Sequence, residues 1–291
     1  MLSSFVQYLF SGVTIGAIYA LAGLGFTIIY NASHVINFAQ GEFIMIGAMA
    51  TVSLVGLGLP LVLAIPLAIA VTVLVGVAVA RFAIMPARDA SVVTLIIITI
   101  GVSLFLRGVA QVLWGKGYHA LPPFSGDVPF QVLGAALLPQ SLWVLGTALV
   151  VIAGLGWFFG RTLYGKAILA TACNRLAAQL VGIRVSGVLL ASFGLAAFLG
   201  AAGGIVMTPI TFTSADAGIM LGLKGFTAAV LGGLGNGAGA ILGGLIVGIA
   251  EAMSAGYLSS SYKEATAFVI ILAVLFFLPN GLLGRAGTER V

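Results

Sequence analysis

The chain has 291 residues, 61% of them hydrophobic and only 7% charged, with a mean hydropathy of +1.24 and a formal net charge of +5. Soluble domains carry about a quarter charged residues, so this composition excludes one and defines a polytopic membrane protein. With so few charges, the positive balance reports orientation in a bilayer and is no nucleic-acid footprint.

The opening MLSSFVQYLF has neither a basic leader nor a cleavage site, so the first span is expected to be retained. A span needs roughly 20 mostly apolar residues. On that basis the candidates are Phe5–Tyr30, Phe38–Leu59, Leu61–Met85, Val92–Trp114, Ser141–Gly160, Val188–Pro209, Ala217–Leu234, Ala238–Tyr257 and Ala265–Leu283. The expectation is an all-α bundle of about 8–9 transmembrane helices forming one domain over residues 1–291. Pro60 and Pro66 mark a tight turn between the second and third spans.

Small residues recur every four positions in the first span (Gly12, Gly16, Ala20) and the eighth (Gly244, Gly248, Ala252, Gly256). Such faces let helices approach closely in lipid, here either within one bundle or between subunits. Spans one to four and six to nine run in opposite senses, which suits an inverted repeat.

Orientation follows from the short loops. Arg81, Arg88, Arg161, Lys166, Arg175, Arg184, Arg285 and Arg290 fall on one side, and Lys116, Lys224 and Lys263 on the other. The expected arrangement puts the N-terminus outside and the C-terminus in the cytoplasm. Residues 115–140 then form the main external loop, made irregular by Pro122, Pro123 and Pro129. Its His119 has no second His or Cys nearby and does not read as a metal ligand.

Residues 161–187 are basic, lack acids and look helical without spanning. Leu169, Ala172, Leu176, Leu180 and Ile183 recur at helical steps, Asn174 suits the cap of a second short helix and Gly182 its stop. Gly160, Gly165 and Lys166 imitate P-loop spacing, but Ala167 stands where Mg²⁺ needs Ser or Thr, and a membrane helix precedes them. Cys173, the single cysteine, excludes an internal disulfide and reads as a small filler on a helix.

Charges inside a bilayer are functional suspects. Glu42, after Asn37 and Gln40, lies in the first turn of its helix, where the macrodipole favours an acid. The three either serve structure there or line the inner end of a pathway. Lys224 and Glu251 lie at similar depth on adjacent spans, roughly 10 Å in, and are expected to pair. Arg107 is expected to snorkel to the headgroups. No catalytic cluster or zinc motif is present, and His34 and His119 are the only histidines.

GAIYALAGLGFTIIYNASHVINFAQGEFIMIGA (16–48), YGKAILATACNRLAAQLVGI (164–183), GLKGFTAAVLGGLGNGAGAILGGLIVGIAEA (222–252) and LPNGLLG (278–284) resemble the permease subunits of branched-chain and hydrophobic amino-acid ABC importers, the LivH type. The resemblance covers nearly the whole chain. It implies a permease without cofactor or catalysis of its own, working with a second related permease, two cytoplasmic P-loop ATPase subunits and a periplasmic or lipid-anchored binding protein in a bacterial inner membrane. Gly165, Lys166, Ala167, Asn174, Ala178 and Gly182 match the frame of the segment that docks on the ATPase. Leu169 departs from it where relatives carry Arg, and Cys173–Asn174 where an acid is usual. Relatives carry urea or short amides, so these are alternative substrates. A proton- or sodium-coupled transporter is a more distant reading, because it needs more embedded acids or histidines.

Overall fold

The computed structural model describes residues 2–87, 90–132 and 134–284. In chain order the elements are α1 (Leu2–Ser33), α2 (Gln40–Gly56), α3 (Leu61–Val79) continuing into a π-helical turn (Ala80–Ile84), and α4 (Val92–Trp114). An antiparallel hairpin of β1 (Phe130–Val132) and β2 (Ala135–Leu137) follows, its register pairing Phe130 with Leu137. Then come α5 (Pro139–Arg161), α6 (Leu163–Cys173), α7 (Arg175–Leu180), α8 (Val185–Thr211), α9 (Ala217–Gly232) and α10 (Gly237–Tyr257). A 3₁₀ turn (Ser260–Tyr262) leads into α11 (Lys263–Phe277).

Seven helical stretches among the described residues are long and apolar enough to cross a membrane. The second and seventh expected spans are instead α2 and α9, of 17 and 16 residues. At 1.5 Å per residue each is about 25 Å long, short of a hydrocarbon core of about 30 Å. Two boundaries also move. The sixth span begins at Val185 instead of Val188, since Arg184 already stands at the N-cap in extended conformation. The last helix ends at Phe277 instead of Leu283, because Pro279 biases its predecessor away from helix. The chain then folds back, and the Leu282 and Leu283 amides donate to Leu231 and Gly232 carbonyls at 2.8 and 3.0 Å. Arg88, Arg285 and Arg290, three of the orientation-setting arginines, lie outside the described residues.

α1 and α8 form the buried centre. α1 packs against α8, α9 and α10, while α8 packs against α1, α2 and α3. The two sets are the same with first and second halves exchanged. α3, α4, α5 and α11 lie outside and present exposed apolar side chains such as Val62, Val112, Leu149 and Phe276.

The small-residue stripes meet each other inside this chain. A Cβ added at Gly16 lies 2.9 Å from the Gly244 carbonyl oxygen, and one at Gly12 lies 2.6 Å from Ile249 Cα. Gly248 and Gly244 in turn lie against the backbone of Gly16 and Ala20. The repeat of small residues is therefore the α1–α10 packing seam, and its function is close approach where lipid offers no hydrophobic drive.

Candidate functional site

Two short helices meet in the middle of the bundle. The Phe38 amide, just before α2, donates to Thr99 Oγ1 at 3.2 Å. Thr99 lies seven residues into α4, roughly 10 Å from its start. Asn37, Gln40 and Glu42 therefore sit inside the bundle, beside the first turns of α4. The chain after α1 turns back before α2 begins, with His34 at φ 56°. α9 begins beside the same place. Gly41 lies against the backbone of Gly218 and Gly222, and a Cβ at Gly218 comes within 2.7 Å of Glu42 Oε2.

Each polar side chain here is held through one atom and unpaired at another. Asn37 Oδ1 accepts from the Ala39 amide at 3.2 Å, and Gln40 Nε2 donates to the Ala196 carbonyl at 3.0 Å. Glu42 Oε1 accepts from Ser103 Oγ at 2.8 Å and Arg107 Nη2 at 2.9 Å. Asn37 Nδ2, Gln40 Oε1 and Glu42 Oε2, all buried, have no hydrogen-bond partner. Buried polar atoms are rarely left so, which sets this place apart from ordinary packing. Arg107 does not snorkel as expected. It turns inward to Glu42, because ion pairing with a buried carboxylate outweighs partial exposure to an apolar phase. Its Nε lies 4.0 Å from Asp216 Oδ1, which accepts from Gln111 Nε2 at 3.1 Å.

A second charged cluster ties α1, α9, α10 and α11 together. Lys224 Nζ donates to Glu251 Oε1 at 2.7 Å, with the two side chains 5% and 0% exposed. Tyr19 Oη donates to Glu251 Oε2 at 2.8 Å, and Lys263 Nζ lies 3.3 Å from Glu251 Oε1. Glu264 Oε2 is 2.8 Å from Lys224 Nζ but not aligned as a hydrogen bond, so its part is electrostatic. Lys224 also stands 5.5 Å from the centre of the Tyr19 ring. Two positive and two negative groups alternate, and each buried charge touches an opposite one.

The third feature is the α6–α7 pair. Thr162 caps α6 by accepting from the Gly165 amide at 3.0 Å, and Asn174 Oδ1 accepts from the Ala177 amide at 3.0 Å to cap α7. Gly182 stops α7 at φ +88°, its amide donating to the Gln179 carbonyl at 3.0 Å. Gly165 is required sterically, since a Cβ there meets Phe159 Cα at 2.7 Å. Gly165 and Ala178 face the bundle, Ala167 is half-buried, and Lys166, Asn174 and Gly182 are exposed. The buried face carries Ile168, Thr171 and Ala178, so the stripe of Leu169, Leu176 and Leu180 faces outward, with Leu180 81% exposed.

Sequence reasoning missed Ser103 and Asp216 at the first site and Tyr19, Lys263 and Glu264 at the second. A signal existed for some of them. Ser103 and Arg107 are one helical turn apart, and Lys263 and Glu264 are adjacent opposite charges at the start of a hydrophobic helix.

A helix bundle in which two short helices meet among unpaired buried polar groups has the build of a membrane permease. The model of a family described as the permease component of branched-chain amino acid transport systems matches residues 8–278, and the chain belongs to that family. It is 34% identical to the high-affinity branched-chain amino acid permease LivH of Salmonella typhimurium and 35% identical to LivH of Escherichia coli, each over 99% of this chain and 98% of the relative. BraD of Pseudomonas aeruginosa is 33% identical with the same coverage. Among solved structures, PsaBC of Streptococcus pneumoniae in complex with Fab superposes with a TM-score of 0.52 at 14% identity, over 96% of this chain and 97% of that one, a likeness of fold.

Proposed function

We propose that the chain is one of two permease subunits of an ATP-binding-cassette importer that carries branched-chain or other hydrophobic amino acids across a bacterial inner membrane. The reading has the N-terminus outside and α6–α7 in the cytoplasm. There Lys166, Asn174 and Gly182 contact a P-loop ATPase subunit, and Gly165, Ala167 and Ala178 hold the segment's shape. A binding protein delivers substrate to the outer loops, including residues 115–140. Asn37, Gln40 and Glu42 border the route, and the Lys224–Glu251 pair holds the helices beside it.

The outward-facing leucines of α6–α7 support this reading most directly. Leu176 and Leu180 are 68% and 81% exposed, and Lys166 on the same segment is exposed as well. An exposed apolar face of this kind suits an apolar groove on a partner protein. ATP on one side and loaded binding protein on the other then bias two global states.

The test is co-purification from native membranes, comparing wild type with Leu176→Asp. Recovery of P-loop ATPases with wild type, and their loss from an equally well expressed variant, is the expected result. Recovery of no ATPase, with the purified chain alone catalysing amino-acid uptake into liposomes, overturns it.

A further inference from the structure

A cavity of about 300 Å³ opens at the end of the bundle where α1 finishes and α8 begins, and the transport reading above does not use it. Its polar wall carries Arg175, Arg184, Gln179, Ser33 and Ser186. Its apolar wall carries Ile84, Met85, Leu95 and Leu189. No Asp or Glu is among the described residues that line it, and none of the ion pairs among them engages Arg175 or Arg184. The amides of the first turn of α8, a 27-residue helix, add positive potential behind Ser186. One side is bounded by the π-helical turn Ala80–Ile84, a rare conformation that gathers at functional sites. Beside that wall, Phe82, Val92 and Val93 are exposed apolar side chains that suit acyl chains.

We propose that this cavity holds the headgroup of an anionic phospholipid of the inner leaflet. Its phosphodiester lies between Arg175 and Arg184, and its glycerol and first methylenes lie on Ile84, Met85 and Leu95. The cavity rests on the orientation proposed above, which places it at the cytoplasmic surface, where anionic lipids meet basic pockets between helices. Two arginines, with no acid among the described lining residues, select a net negative headgroup over a zwitterionic one. The apolar wall beside them selects a lipid over a free phosphate. The lipid thereby links α7, the segment proposed to meet the ATPase, to the membrane-facing side of α4.

The experiment uses the assembled importer in nanodiscs of phosphatidylcholine with or without phosphatidylglycerol. Retained lipid is measured by native mass spectrometry, and contact by a photoactivatable phosphatidylglycerol. Each arginine is worth roughly fivefold in such a site, so Arg175→Gln with Arg184→Gln is expected to weaken phosphatidylglycerol retention about 25-fold while the ATPases stay bound. Cross-links are expected on peptides containing Met85 and residues 183–189. Ser186→Glu gives a second variant, because an acid in the first turn favours the helix while repelling the lipid. Unchanged retention in both variants overturns the proposal. Loss of the ATPases from the arginine variant also overturns it, since the arginines then contact protein. Displacement of the lipid by equimolar glycerol 3-phosphate assigns the cavity to a soluble phosphate instead. Failure of the transport reading itself registers separately, as absence of ATP-driven amino-acid uptake by the wild-type complex.

Discussion

Replacing Lys224 by Met while keeping Glu251 removes the closest cation from a carboxylate whose side chain is 0% exposed. Breaking a buried pair from one side typically costs about 3–5 kcal/mol. Tyr19 Oη at 2.8 Å and Lys263 Nζ at 3.3 Å remain to soften the loss, which places Lys224→Met near the lower figure, about 3 kcal/mol. Glu251→Gln leaves Lys224 facing Glu264 at 2.8 Å and is expected to cost a similar amount. Combining the two removes both charges, and near-isosteric replacement of a buried pair is often close to neutral. The double variant is then destabilised by about 3 kcal/mol at most, instead of the roughly 6 kcal/mol of additive behaviour. Equilibrium unfolding in mixed SDS micelles measures the cycle, with amino-acid uptake as a second readout. A sum of single effects matching the double within about 0.5 kcal/mol would sink the argument, because the 2.7 Å contact would then carry no coupling.

Arg107→Gln removes the cation that Glu42 holds at 2.9 Å and is expected to lower the yield of monodisperse protein, with Glu42→Gln restoring it; size-exclusion profiles decide. Gly244→Ala pushes a Cβ into the Ala20 backbone and is expected to cost about 1–3 kcal/mol, seen as a lower Tm in detergent. Gly146→Ala, where a Cβ meets nothing within 4 Å, serves as the control and is expected to stabilise by up to about 1 kcal/mol. Gly182→Ala must hold φ +88° at a cost of about 1–2 kcal/mol. It is expected to reduce ATP-driven uptake at normal membrane levels, and unchanged uptake refutes a coupling role for the α7 stop.

The helices and their capping were legible because they depend on short-range chemistry. Apolar length marks α3, α4, α5 and α8, and Asn174 and Gly182 bound α7 through bonds made within a few residues. The Lys224–Glu251 pair was legible because adjacent antiparallel spans fix relative depth. Arg107 was not, because its partner lies on α2, which depth counting placed at the end of the bundle. Hydropathy does not distinguish a full span from a short helix that starts inside the bundle. The outward turn of Leu169, Leu176 and Leu180 was also hidden, since periodicity locates a stripe without saying which face the bundle takes.

The early position of α2 has a consequence for biogenesis. Twelve of its residues are buried against other parts of the chain, and its neighbours include α8 and α9, which begin at Val185 and Ala217. A ribosome must therefore add well over a hundred residues after α2 before those contacts exist. Until then Gln40 lacks the Ala196 carbonyl it binds in the finished fold. Until then α2 has only its contacts with α1, α3 and α4. A chain truncated before α8 leaves the α2 face that packs on α8 and α9 uncovered.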